Sequence, residues 1–128
     1  MNNKGQTLAL FVIFLPVLLL LLVLVIDIGK AIVKKVELNN ISEIVLEYGL
    51  DNLEEENLED DLLNLVKLNN SDINQIDIDI VDNKIYIRLL DNSDSVFKRI
   101  ISTNKFDIES NYVGYIVDDK KRIERVGG

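Results

Sequence analysis

Asp77 and Asp79, two residues apart in a stretch of alternating isoleucines, are the side chains of this 128-residue chain best spaced for general acid–base work. A denser acidic group, Glu54, Glu55, Glu56, Glu59, Asp60 and Asp61, raises the question of a calcium site. It lacks the glycine and the alternating acids of a calcium loop. Carboxylates crowded into the start of a helix are instead favoured by the helix dipole. The chain has no cysteine and no histidine. A thiolate nucleophile, a redox pair, an imidazole base and a thiolate or imidazole zinc site are therefore excluded. No glycine-rich phosphate loop and no nucleophile elbow occurs. The sequence thus reads as a non-enzyme with no cofactor and no metal. Asp77 and Asp79 become the solvent side of a strand, Tyr112 and Tyr115 read as strand packing, and Lys120-Lys121-Arg122 as a charged strand edge.

Charge excludes a further class of partner. There are 14 basic and 22 acidic residues, net −8. Residues 1–50 carry four of each, so the excess lies entirely in residues 51–128. Such a domain does not suit a nucleic-acid backbone, and no nucleic-acid partner is expected.

The element that dominates the chain is apolar. Leu8 to Ile26 is a run of 19 residues interrupted only by Pro16. As a helix it spans about 28 Å, close to the hydrocarbon thickness of a bilayer. It exceeds the apolar stretch of a cleaved signal peptide, so it reads as a retained anchor in which Leu8, Phe11, Leu20 and Ile26 meet lipid. Pro16, midway, leaves the carbonyl of Val12 without its helical donor, a kink that membrane helices tolerate. Asp27, Gly29 and Lys30 mark the membrane boundary, with Asp27 expected to reach water or to pair with Lys30 or Lys34. Lys4 precedes the span and Lys30, Lys34 and Lys35 follow it. By the positive-inside rule that count favours a cytoplasmic C-terminal domain.

Beyond the span, Ile32, Val33, Val36, Ile41, Ile44, Val45 and Tyr48 recur at helical spacing with no turn signal before them. One helix from about Gln6 to Tyr48, about 65 Å long, is expected, with Gly49 as its C-cap. Ile41, Ile44, Val45 and Tyr48 form its expected packing face, set against Ile78, Ile80, Ile85 and Ile87. Asp51 and Glu54 suggest a capping box for a second helix bearing Leu53, Leu58, Leu62, Leu65 and Val66. The period then changes to two. Ile76, Ile78 and Ile80, a turn at Asp82-Asn83, and Ile85, Ile87 and Leu89 describe a β-hairpin. Asp91-Asn92-Ser93-Asp94 breaks the pattern, Val96, Phe97, Ile100 and Ile101 suggest a short helix, and two more strands follow around Asp118-Asp119. The expected fold is α+β: a long N-terminal helix, first transmembrane and then amphipathic, packed on a small antiparallel four-stranded sheet, with a second helix and a short helix.

Lys4-Gly5-Gln6-Thr7, Leu15-Pro16 followed by a leucine run, and Asp27-Ile28-Gly29-Lys30 together resemble the start of TadE-like minor pilins of the tight-adherence (Tad) pilus, relatives of type IV pilins. The stretch Ser110 to Tyr115 is similar to part of that family near its C-terminus. The resemblance implies a leader at residues 1–5, cleaved between Gly5 and Gln6 by a prepilin peptidase. It implies a transmembrane helix at 6–29 and an extracytoplasmic pilin-like domain at 30–128, against the lysine count. Further implied partners are the lipid bilayer, other pilin subunits through the N-terminal helix, and the pilus assembly platform. The family usually carries Glu at the fifth mature position, where this chain has Leu10, and that departure implies a minor or initiating subunit. The alternative is a single-pass membrane protein with a small extracytoplasmic binding or regulatory domain and no filament role. It explains the anchor equally well and leaves Lys4-Gly5-Gln6 without a purpose.

Overall fold

A computed structural model of the chain describes residues 3–93 and 106–127. Helix α1 (Asn3–Asp51) runs for 49 residues, about 73 Å, and continues unbroken through Pro16. Helix α2 (Leu58–Asn69) is followed by strands β1 (Gln75–Val81), β2 (Lys84–Ser93), β3 (Phe106–Val117) and β4 (Lys120–Arg125). The strands form one sheet in the order β1-β2-β3-β4, each pair antiparallel. Both two-residue turns have left-handed central residues, Asp82 and Asn83 (φ 51° and 64°) and Asp118 and Asp119 (φ 51° and 61°). That geometry gives hairpins the twist their strands require. The short helix expected at Val96 to Ile101 lies outside the described residues.

The domain has two layers. Helix α1 lies across β3 and β2, and α2 packs beside it over β1. The core joins Leu38, Ile41, Val45, Leu46 and Leu50 of α1 to Leu58, Leu62 and Val66 of α2, and both to Ile85, Ile87, Leu89, Ile108 and Tyr112 of the sheet. Strand β2 alternates strictly, with Ile85, Ile87 and Leu89 beneath the helices and Lys84, Tyr86 and Arg88 on the open face. The other face of the sheet has no helix over it among the described residues.

The structure corrects four details. Gly49 is not a cap: α1 runs on to Asp51, and Gly49 is buried within it. A Cβ there would stand 2.6 Å from Ile85 Cδ1 and 3.2 Å from Leu62 Cδ2, so the glycine serves close packing. Asp51 consequently ends α1 and caps nothing, and α2 begins seven residues later, at Leu58. Its first turn carries Glu59, Asp60 and Asp61, while Asn57 at its N-cap makes no side-chain capping bond. Strand β2 does not break at Asp91; Asp91, Asn92 and Ser93 pair with Ile108, Asp107 and Phe106. Finally, Ile80 is 36% exposed near the end of the edge strand and is not part of the core.

The packing face of α1 also differs from its expected membership. Ile41 and Val45 are buried, whereas Ile44 and Tyr48 are 48% and 40% exposed. The buried seam is Leu38, Ile41, Ser42, Val45, Leu46, Gly49 and Leu50. At about 100° per residue this places Ile44 and Tyr48 on its far flank. Val45→Asp should therefore cost on the order of 3 kcal/mol by burying an unpaired carboxylate. Ile44→Asp should change stability by about 0.5 kcal/mol or less. Denaturant unfolding of the full chain in detergent separates the two; equal losses would contradict this assignment of faces.

Candidate membrane anchor and its junction with the domain

Among the described residues, nothing covers the first half of α1. Leu8, Phe11, Leu20 and Ile26 are all exposed, as are their apolar neighbours on every side of the helix. The most apolar 18-residue window has a mean hydropathy of 3.4, and none of it is buried. A soluble protein does not leave an apolar surface of that size to water. The helix is long and apolar enough to cross a bilayer. Pro16 lies within this exposed stretch, where no other element of the domain supports the helix.

The change of environment is abrupt. Asp27, expected at an open boundary, is 1% exposed and engaged in an interaction. It is the first buried residue along α1, although Ile28, Gly29 and Lys30 around it are exposed. The residue that ends the apolar run is therefore buried where its neighbours in sequence are not. A carboxylate placed there is removed from both hydrocarbon and bulk water, which requires the interaction it has.

Above Asp27 a polar seam fastens α1 to the sheet. Lys34 Nζ lies 2.8 Å from Asp91 Oδ2, while Asp91 Oδ1 accepts the Asn92 N–H at 2.8 Å. Asp91 is buried because the alternation of β2 carries it to the helix side. Its carboxylate holds the Lys34 ammonium above the ordinary lysine value, an effect that partial burial of the amine opposes. Lys35 Nζ donates to the carbonyl of Glu109 on β3. One turn on, Ser110 Oγ donates to Asn39 Oδ1 at 2.8 Å. Its single proton being committed, Ser110 accepts from Ser42 Oγ at 3.1 Å. Asn70 Nδ2 donates to Glu37 Oε1 at 2.7 Å, tying the end of α2 to the same stretch. At the far end of α1, Lys121 of β4 reaches Asp51 at 2.8 Å. None of the pairings between elements was legible from spacing, since each joins residues at least 33 apart in the chain.

The residues first considered for chemistry fall elsewhere. Asp77 and Asp79 stand on the open face of the sheet, Asp77 accepting from Gln75 at 2.8 Å and lying 3.8 Å from Arg88. Tyr112 is core, while Tyr115 on the open face donates its hydroxyl to Glu124 at 2.9 Å. Gly5 and Gln6 lie in the exposed first turns of α1.

Residues 5–43 match the family model described as "Putative Flp pilus-assembly TadE/G-like". The matched stretch takes in the exposed apolar half of α1, Asp27 and the first part of the polar seam, and is less than half of the chain. It supports the TadE-like resemblance read from Lys4-Gly5-Gln6-Thr7 and Asp27-Ile28-Gly29-Lys30, and it ties the chain to pilus assembly, a structural task. No curated protein and no solved structure matches the chain.

The seam has a measurable signature. Lys34→Met leaves the Asp91 carboxylate buried without its cation and should cost about 1–3 kcal/mol, less than a fully buried pair because Lys34 is partly solvated. The raised Lys34 value also fixes the sign of a pH effect. The pair contributes in full below the usual lysine value of 10.5 and is lost as pH rises through the raised folded value. Unfolding midpoints taken up to strongly alkaline pH should fall more steeply above that value in the parent chain than in Lys34→Met.

Proposed function

We propose that this chain is a membrane-anchored minor pilin that takes part in building or initiating a Tad-type adhesion pilus. The observation that carries the reading is the junction in α1. One unbroken helix has an apolar half that no other described part of the chain covers, and its other half is the lid of a small α+β domain. Residues 6–29 lie in the cytoplasmic membrane, and residues 30–128 form the extracytoplasmic domain. Residues 1–5 are a leader removed between Gly5 and Gln6 by a prepilin peptidase. Glycine suits that position because it lets the chain approach a catalytic backbone in extended form.

Transfer of the subunit from bilayer to filament exchanges lipid contacts for contacts with the helices of other pilins. Burial of each large apolar side chain is worth roughly 1.5–3 kcal/mol. The anchor therefore does not leave the membrane unaided, and the work comes from the assembly platform. Leu10, where the family usually has a glutamate, leaves this subunit without a carboxylate for a neighbouring N-terminal amine. That suits a minor or initiating position better than repeated packing along a fibre.

The test is the N-terminus of the chain in membranes of cells that carry the peptidase. Intact mass and N-terminal sequencing should find Gln6 first, and Gly5→Val should leave the full-length chain, since a β-branched residue obstructs the extended approach. A parent chain still beginning at Met1 would overturn the pilin reading. The same membranes decide orientation. With no native cysteine, Ser71→Cys should react with an impermeant maleimide on intact cells; reaction only after lysis would place the domain inside and overturn the reading as well.

A further inference from the structure

The two edges of the sheet carry opposite charge. Strand β1 ends it on one side with Asp77 and Asp79 as its charged residues. Strand β4 ends it on the other with Lys120, Lys121, Arg122 and Arg125 against the single acid Glu124. Both strands are largely exposed, Ile80 and Val81 of β1 included. Open edges invite pairing with another strand. Here like charges oppose β1 with β1 and β4 with β4, while β1 with β4 is attractive. We propose that copies of this chain join edge to edge, β1 of one against β4 of the next, to continue the sheet from subunit to subunit.

Backbone geometry selects the register. Residues flanking a two-residue hairpin turn form a hydrogen-bonded pair, here Val81 with Lys84 and Val117 with Lys120. The alternation that follows turns the N–H and C=O of Ile76, Ile78 and Ile80 to the free edge of β1. It turns those of Lys121, Ile123 and Arg125 to the free edge of β4. Placing Ile76 opposite Ile123 and Ile78 opposite Lys121 lets these groups meet. It keeps the helix-side residues of both copies on one side, with Ile76 and Ile123, each already packed against the core, in contact. On the open face it sets Asp77 opposite Arg122 and Asp79 opposite Lys120. A shift of two residues would set Asp77 against Glu124.

Direction agrees with the anchor. In a four-stranded antiparallel sheet β4 runs opposite to β1. A copy translated along the sheet therefore presents β4 antiparallel to β1 of its neighbour, and all α1 helices point the same way. Antiparallel β1–β1 pairing about a two-fold axis normal to the sheet would turn one α1 end for end, which two helices inserted alike in one membrane cannot do. Because the β1–β4 contact is heterologous, a pair of copies still leaves one β1 and one β4 edge free, and further copies can add. The direction argument rests on α1 being the anchor; the charge and register arguments do not, and the experiment below does not depend on peptide processing.

The test is cross-linking of the full chain in its membranes. Asp77→Cys with Arg122→Cys places two thiols in a non-hydrogen-bonded antiparallel pair, where side chains approach closely. Within one chain the two positions are three strand spacings apart, about 14 Å, too far for a disulfide. Oxidation should give a ladder of dimers, trimers and longer species, while either single variant stays monomeric. Adding Asp79→Lys should weaken the ladder about tenfold by facing Lys120 with a like charge, and adding Lys120→Asp should restore it. A double variant that gives no ladder, single variants that dimerise as readily, or a ladder indifferent to Asp79→Lys would each overturn the proposal.

Discussion

One helix has to satisfy two solvents, and the rest of the structure follows from how α1 divides that task along its length. Up to Ile26 its surface is apolar on all sides, as a helix bathed in hydrocarbon must be. Beyond Asp27 it has sides. A seam at alternating spacings of three and one, from Leu38 to Leu50, enters the core, and Glu43, Ile44, Glu47 and Tyr48 face outward. Among the described residues, α1 supplies five of the thirteen buried apolar side chains. Without it the inner face of the sheet would lie open. The apolar half and the domain are therefore one object, joined by a continuous helix.

Small residues allow the close contact. Gly49 meets Ile85, Gly114 lies under Leu46 and Leu50, and Ser42 sits against Ser110. A hydrophobic seam alone would let α1 slide, because dispersion and area burial have little directionality. The polar contacts near the membrane end remove that freedom. Lys34 on Asp91, Lys35 on the Glu109 carbonyl, and the chain from Ser42 through Ser110 to Asn39 each hold at one axial position only. A slip of one turn would leave a carboxylate and two hydroxyl groups buried without partners, a cost several times that of a displaced leucine. These contacts cluster where the load from an anchored or extracted helix would enter the domain.

The sheet completes the division of labour. The centre of its inner face is engaged by the helices, and its open face carries cross-strand pairs such as Arg88 with Glu109 at 2.7 Å. Pairs of that exposure add little stability and chiefly favour one register over another. With a charge of opposite sign on each edge, the sheet has a direction across its strands as well as along them.

The sequence by itself determined the apolar stretch long enough to cross a bilayer, the two helices and both hairpins. Each depends on a local signal: an apolar run of membrane length, a period of 3.6 or 2, and a two-residue turn that accepts positive φ. The TadE-like start was legible for the same reason, as it lies in one short stretch. Tertiary structure alone decided which apolar residues of α1 are core. Ile41 and Ile44 are equivalent in type, and only the position of the sheet distinguishes a buried residue from an exposed one. It also decided that Gly49 is a contact and not a stop, and that Asp91 prolongs a strand because Lys34 arrives to pair with it. A residue's partners across the fold are set by the path of the whole chain, and no periodicity within ten residues carries that information.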